Sequence, residues 1–125
     1  MLIETNLMQW DKIMNINLRA SFHLISITVP FMRFSNKSPS ITVLSGSCGE
    51  TPRPGAAIFS VSMAMLNMLV KNTALEVGHL GIRVNAVAPG ITETKARESK
   101  DSYLYDQLTD LQRNDENLAM RIVKD

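Results

Sequence analysis

Two short apolar runs rich in β-branched residues, Ser40-Ile41-Thr42-Val43-Leu44-Ser45 and Ile82-Arg83-Val84-Asn85-Ala86-Val87-Ala88, flank a long stretch with helical spacing. This constrains the fold more than any other feature of the chain. Runs of that length and composition read as buried strands. The intervening stretch, 56–77, repeats Phe59, Met63, Leu66 and Val70 at three- and four-residue steps, with Met65, Met68 and Leu69 beside them. That spacing predicts a core helix, stopped by Gly78 and Gly81. Two strands joined by a helix run parallel with a right-handed crossover. A parallel sheet of two strands is not self-sufficient, because parallel sheets are covered on both faces and have further neighbours.

Ahead of the first strand, Asn6-Leu7-Met8-Gln9 fits a capping box. A long helix over 7–32 is expected to follow. Trp10, Met14, Leu18, Phe22, Ile25 and Val29 form one stripe, while Ile13, Ile16, Leu24 and Ile27 lie off it. A helix apolar on more than one face is expected to be buried on more than one face. Pro30 should kink or end it. The glycine- and proline-rich stretch 46–55 reads as a loop. Leu104, Leu108 and Leu111 predict an amphipathic helix over 101–112, and 113–125 reads as a polar tail. The fold class is thus α/β: a partial, doubly wound, Rossmann-like fragment in the order helix–strand–helix–strand–helix, with two parallel strands. All 125 residues belong to one incomplete domain.

Composition narrows the function. A net charge of +1 offers no electrostatic reason to expect nucleic acid or an anionic membrane as partner. The longest uncharged apolar stretch, 54–70, is shorter than a membrane span, so none is expected. The start shows no secretory signal. The one cysteine, Cys48, cannot form an internal disulfide, and with no nearby histidine or second cysteine it predicts no metal site. A reducing compartment follows as the expectation: intracellular, the cytoplasm first, with an organelle also open.

Four segments then name a family. Trp10-Asp11-Lys12-Ile13-Met14-Asn15-Ile16-Asn17-Leu18-Arg19, Ile41-Thr42-Val43-Leu44-Ser45-Gly46-Ser47-Cys48-Gly49, Phe59-Ser60-Val61-Ser62-Met63-Ala64, and Ile82-Arg83-Val84-Asn85-Ala86-Val87-Ala88-Pro89-Gly90 followed by Thr94 stand in order. Together the chain resembles the short-chain dehydrogenase/reductase family. The resemblance implies a Tyr-xxx-Lys helix, a Ser after the preceding strand, and an Asn in the long helix that supports a proton relay. A tyrosine ordinarily titrates near about 10, so acid/base work near neutral pH needs a fixed cation close by. Residues i and i+4 share a helix face, which suits that pairing.

Carried over residue by residue, the resemblance puts Phe59 at the Tyr position and Met63 at the Lys position. It puts Gly46 at the Ser position, although a one-residue slip in the loop would offer Ser45 or Ser47 instead. Only Asn17 matches. Loss of a general acid/base alone costs roughly 10²–10⁴ in rate, and neither Tyr103 nor Tyr105 is followed by Lys at the fourth position. Phe59 and Met63 are expected to form an apolar pair in a cleft wall turned to core or contact surface.

Dinucleotide binding needs a glycine-rich strand–turn–helix. The six glycines contain no G-xxx-G-x-G spacing. The family keeps that motif in strands that would precede Met1, and its last helix and strand would follow Asp125. Pro89, Gly90, Thr92 and Thr94 match the nicotinamide-side loop, with weak or no binding expected. No cofactor is therefore expected for the chain as given.

The resemblance further implies packing of the two long helices against copies in another subunit. A protein partner is expected: a second copy, a full-length relative, or a larger assembly. The leading expectation is a catalytically silent structural or interaction subunit. The runner-up is an NAD- or NADP-dependent oxidoreductase whose sequence here is incomplete. The third is a poorly folding truncated product.

Overall fold

A computed structural model describes residues 6–35, 37–53, 55–90 and 121–123. Helix α1, Leu7–Met14, opens on the expected capping box. The Asn6 side chain accepts from the Gln9 backbone N–H at 2.9 Å, and Gln9 Oε1 accepts from the Asn6 N–H at 3.3 Å. The helix runs on to Met32, but not as one α-helix. A π-helical turn, Asn15–Arg19, separates α1 from α2, Ala20–Met32. Pro30 does not end the helix. It lies within the last turn of α2, and Arg33 N–H still donates to the Val29 carbonyl at 3.2 Å.

Strand β1, Ser40–Leu44, pairs in parallel with β2, Arg83–Ala88, through helix α3, Ala57–Val77. Ser45 lies beyond β1 as defined, yet its N–H continues the ladder to the Val87 carbonyl at 2.8 Å. The stop after α3 has two parts. Gly78 begins a 3₁₀ turn, Gly78–Leu80, and Gly81 makes the left-handed turn into β2 at φ 74°. Left-handed backbone suits a residue without Cβ.

Two strands were expected and a third is present. β3, Arg121–Val123, pairs antiparallel to β2 in the segment read as a polar tail, giving the order β1-β2-β3. A three-residue strand carries too little pattern to stand out in a sequence. The amphipathic helix expected over 101–112 lies outside the described residues.

The core sits between α3 and the sheet. Val70, Val77, Ile82, Val84, Ala86 and Ala88 are buried together, flanked by Val29, Met32, Ile41 and Val43. Burial of the N-terminal helix on more than one face is not observed. Ile25 is its one buried residue among those described, and Ile16, Phe22, Leu24 and Ile27 are exposed. Ala57–Leu80 is long and apolar enough to cross a membrane by length and composition alone. Eight residues of α3 are nevertheless buried within the fold, so it is placed as a core helix.

Candidate functional site

Open α/β sheets bind ligands outside the carboxyl ends of parallel strands. Here that end carries Ser45, Gly46 and Ser47 after β1, and Pro89 and Gly90 after β2. The two exits are tied together by the Ser47 N–H, which donates to the Pro89 carbonyl at 3.0 Å. The segment 46–55 is not wholly irregular: Ser47–Gly49 forms a 3₁₀ turn that packs on α3. Gly49 permits that approach. A Cβ there would lie 2.8 Å from both the Ala64 nitrogen and the Met63 carbonyl carbon.

Met63 is at the centre. It is 4% exposed and packs with Cys48 and Leu66, against Leu18, Val43 and Leu69. Gly46 faces it: a Cβ there would be 3.4 Å from Met63 Cγ and 3.5 Å from its Sδ. Ser45 also reaches it. Its buried hydroxyl donates to Asn67 Oδ1 and lies 3.9 Å from the Met63 sulfur. Ser47 points elsewhere, accepting from Arg53 Nη2 at 2.7 Å. Ser45 and Gly46 therefore look toward Met63, and Ser47 does not.

Phe59 departs from its expected place in the core stripe. It is 43% exposed, one turn before a buried Met63. Ile58 and Ser62 are buried at the same end of α3, so the cover there lies on an adjoining side of the helix. Sequence spacing reports which face a residue shares, not where the cover ends.

Asn17 donates through Nδ2 to Ser62 Oγ at 2.9 Å, and Ser62 Oγ donates to the Phe59 carbonyl at 2.7 Å. The backbone carbonyl of Asn17 accepts from the Ser21 hydroxyl at 2.9 Å. Asn17, Gly46, Phe59 and Met63 thus converge on the first half of α3. Pro89 and Gly90 lie at the same sheet end, while Thr92 and Thr94 lie outside the described residues. Sequence reasoning missed Ser62, Asn67 and Arg53 as members of the network. Ser62 and Asn67 fall three and eight residues after Phe59, a spacing that could have placed them on the inner face.

Chemically, the described face at positions 59 and 63 offers a phenyl ring and a thioether. Neither moves a proton. Among the described residues, no group of three or more His, Cys, Asp or Glu side chains could hold a metal ion.

The family described as Enoyl-(Acyl carrier protein) reductase matches residues 1–122. A 3-oxoacyl-(acyl-carrier-protein) reductase of Thermotoga maritima is 36% identical over 89 residues, covering 71% of this chain and 36% of the relative. Dehydrogenase/reductase SDR family member 4 of Bos taurus is 36% identical over 85 residues, 68% of this chain and 30% of that protein. Among solved structures, acetoin dehydrogenase from Salmonella typhimurium superposes at a TM-score of 0.70 with 29% identity, covering 74% of this chain and 39% of that one. A 4-hydroxyisoleucine dehydrogenase complexed with NADH superposes at 0.77 with 25% identity, covering 90% and 47%. The chain spans about a third of the length of these two curated relatives.

Proposed function

The chain belongs to the short-chain dehydrogenase/reductase family, and on that footing we propose that it is a silent member, one that contributes protein contacts in place of proton transfer. The observation that carries this reading is Met63. An uncharged thioether fills the space facing Gly46, at the position where the resemblance expects a lysine, and it is sealed at 4% exposure. With Phe59 one turn before it, the pair has no proton to give and no cation to lower a neighbouring pKa. Asn17 is spoken for by Ser62, and its carbonyl by Ser21.

The second part of the reading is the contact surface. Ile16, Phe22, Leu24 and Ile27 on the N-terminal helix are exposed, as are Met65 and Met68 on α3. Apolar groups spread over two long helices suit a protein partner: a second copy, a full-length relative or a larger assembly. Light scattering on the purified protein tests this, and a monodisperse monomer that captures no partner removes the interaction role.

One observation favours a second reading, an NAD- or NADP-dependent oxidoreductase of which this is a part. The relatives at 36% identity are named as reductases, and Pro89 and Gly90 keep their place beside the β1 exit. The two readings part in one experiment: titration with NAD(H) and NADP(H), followed by Trp10 fluorescence and by nicotinamide absorbance. Silence predicts no turnover above background. Turnover would remove the silent reading.

A further inference from the structure

The exits of β1 and β2 and the entry of α3 come together at the carboxyl end of the sheet, and Ser47 is bonded to its neighbours through every polar group it has. Its N–H donates to the Pro89 carbonyl at 3.0 Å, and its carbonyl accepts from the Glu50 and Thr51 N–H groups at 3.1 and 3.0 Å. Its hydroxyl accepts from Arg53 Nη2 at 2.7 Å. Ser47 is buried. A buried hydroxyl held by a guanidinium makes a charge-assisted bond, stronger than one between neutral groups.

Arg53 reaches that hydroxyl from the entry of α3. Its carbonyl accepts from the Ala56 N–H at 3.2 Å, and the Ala56 carbonyl accepts from the Ser60 N–H at 2.7 Å within the first turn of the helix. The Arg53 side chain therefore runs from the start of α3 back to the β1 exit. The Ser47–Gly49 turn is seated flush on the same helix, since a Cβ on Gly49 would lie 2.8 Å from two of its backbone atoms. Cys48, at the middle of the turn, is buried and packs with Met63 and Leu66 of α3. A reagent reaches its thiol when the turn lifts from the helix.

We infer that Arg53 is a strap: through Ser47 it holds the Ser47–Gly49 turn down on α3, and its release opens the cluster of Cys48, Met63 and Leu66 to solvent. The Pro89 carbonyl pins the first residue of the turn to the β2 exit, and close packing at Gly49 seats the last. Arg53 adds the tie to the start of α3. Opening of this kind is local, at a lower cost than global unfolding. The strap does not depend on whether the protein is silent.

Cys48 is the single cysteine of the chain, so its alkylation by iodoacetamide, followed by mass, reads the opening directly. In Arg53→Ala, labelling under native conditions is expected to be about tenfold faster or more, the factor that a hydrogen bond to a charged group carries. The faster rate should stay flat in urea below the unfolding transition, because lifting one turn exposes little surface. Ser47→Ala removes the acceptor and is expected to label as Arg53→Ala does. It is read in the same way should Arg53→Ala fail to fold. The double variant should label no faster than the faster single one, since both remove the same bond. A folded Arg53→Ala or Ser47→Ala protein that labels no faster than the unaltered chain overturns the strap. So does faster labelling that climbs with urea as steeply as global unfolding, or a double variant in which the two effects multiply.

Discussion

Gly46 and Met63 face each other at the carboxyl end of β1, with 3.4 Å between the place a Cβ would take on the glycine and Cγ of the methionine. The longer side chain occupies what the shorter residue leaves. Gly46 has extended backbone, φ −155° and ψ 144°, which any residue adopts. Its glycine is therefore a matter of space in front of Met63.

That geometry separates two substitutions. Gly46→Ala places its methyl at ordinary van der Waals distance and is expected to change stability by less than about 1 kcal/mol. Gly46→Val directs a branch at the Met63 side chain and is expected to cost about 1–3 kcal/mol. Urea unfolding compares the two. Equal stabilities would mean that Met63 does not fill the space.

Position 63 itself should discriminate by charge. Met63→Leu keeps the volume and the apolar character, for an expected loss under about 1.5 kcal/mol. Met63→Lys puts an ammonium among Cys48, Leu66 and Val43 and is expected to cost about 3–5 kcal/mol, the range for a buried charge without a partner. A lysine tolerated as well as leucine would show that the old cleft remains open to water.

Gly49 is constrained more tightly than Gly46. A Cβ at 2.8 Å from two backbone atoms of α3 cannot be relieved by moving a side chain. Gly49→Ala is expected to push the Ser47–Gly49 turn off α3, at a cost of about 1–3 kcal/mol. Thermal melts measure it, with Gly78→Ala as the reference, since nothing lies within 4 Å of a Cβ there.

These contrasts show what the chain disclosed in one dimension. The two parallel strands and the connecting helix were legible because their periods are strong and their ends carry glycine or proline. The capping box at Asn6 was legible because its residues are adjacent. The π turn was not. Asn15-Ile16-Asn17 carries no local mark of the extra residue, and the Asn17 side chain finds its partner 45 positions away in Ser62. The same holds for Phe59. Its spacing joins it to Met63, but its exposure depends on which side of α3 the rest of the fold covers. The Ser45–Asn67 bond joins residues 22 apart and leaves no local trace. Site positions could be read from motifs, whereas the partners that hold them needed the fold.

One further test reaches the correspondence of positions 59 and 63 directly. Phe59→Tyr sets a phenol on a helix face that is 43% exposed, and it should ionise near the ordinary value of about 10. Adding Met63→Lys supplies a cation one helical turn away, at the spacing where side chains meet. Burial pulls the lysine pKa down, so it keeps its charge only where the phenolate forms beside it, and that coupling lowers the tyrosine pKa. Ultraviolet absorbance followed through alkaline pH reads the change, with the unmodified protein subtracted to remove Tyr103 and Tyr105. The lysine costs stability, as argued above, so the comparison is made below the unfolding transition. A downward shift would mean that α3 holds positions 59 and 63 close enough to act as a pair. An unshifted phenol would sink the pairing, and with it the reading of Phe59 and Met63 as a substituted acid/base couple.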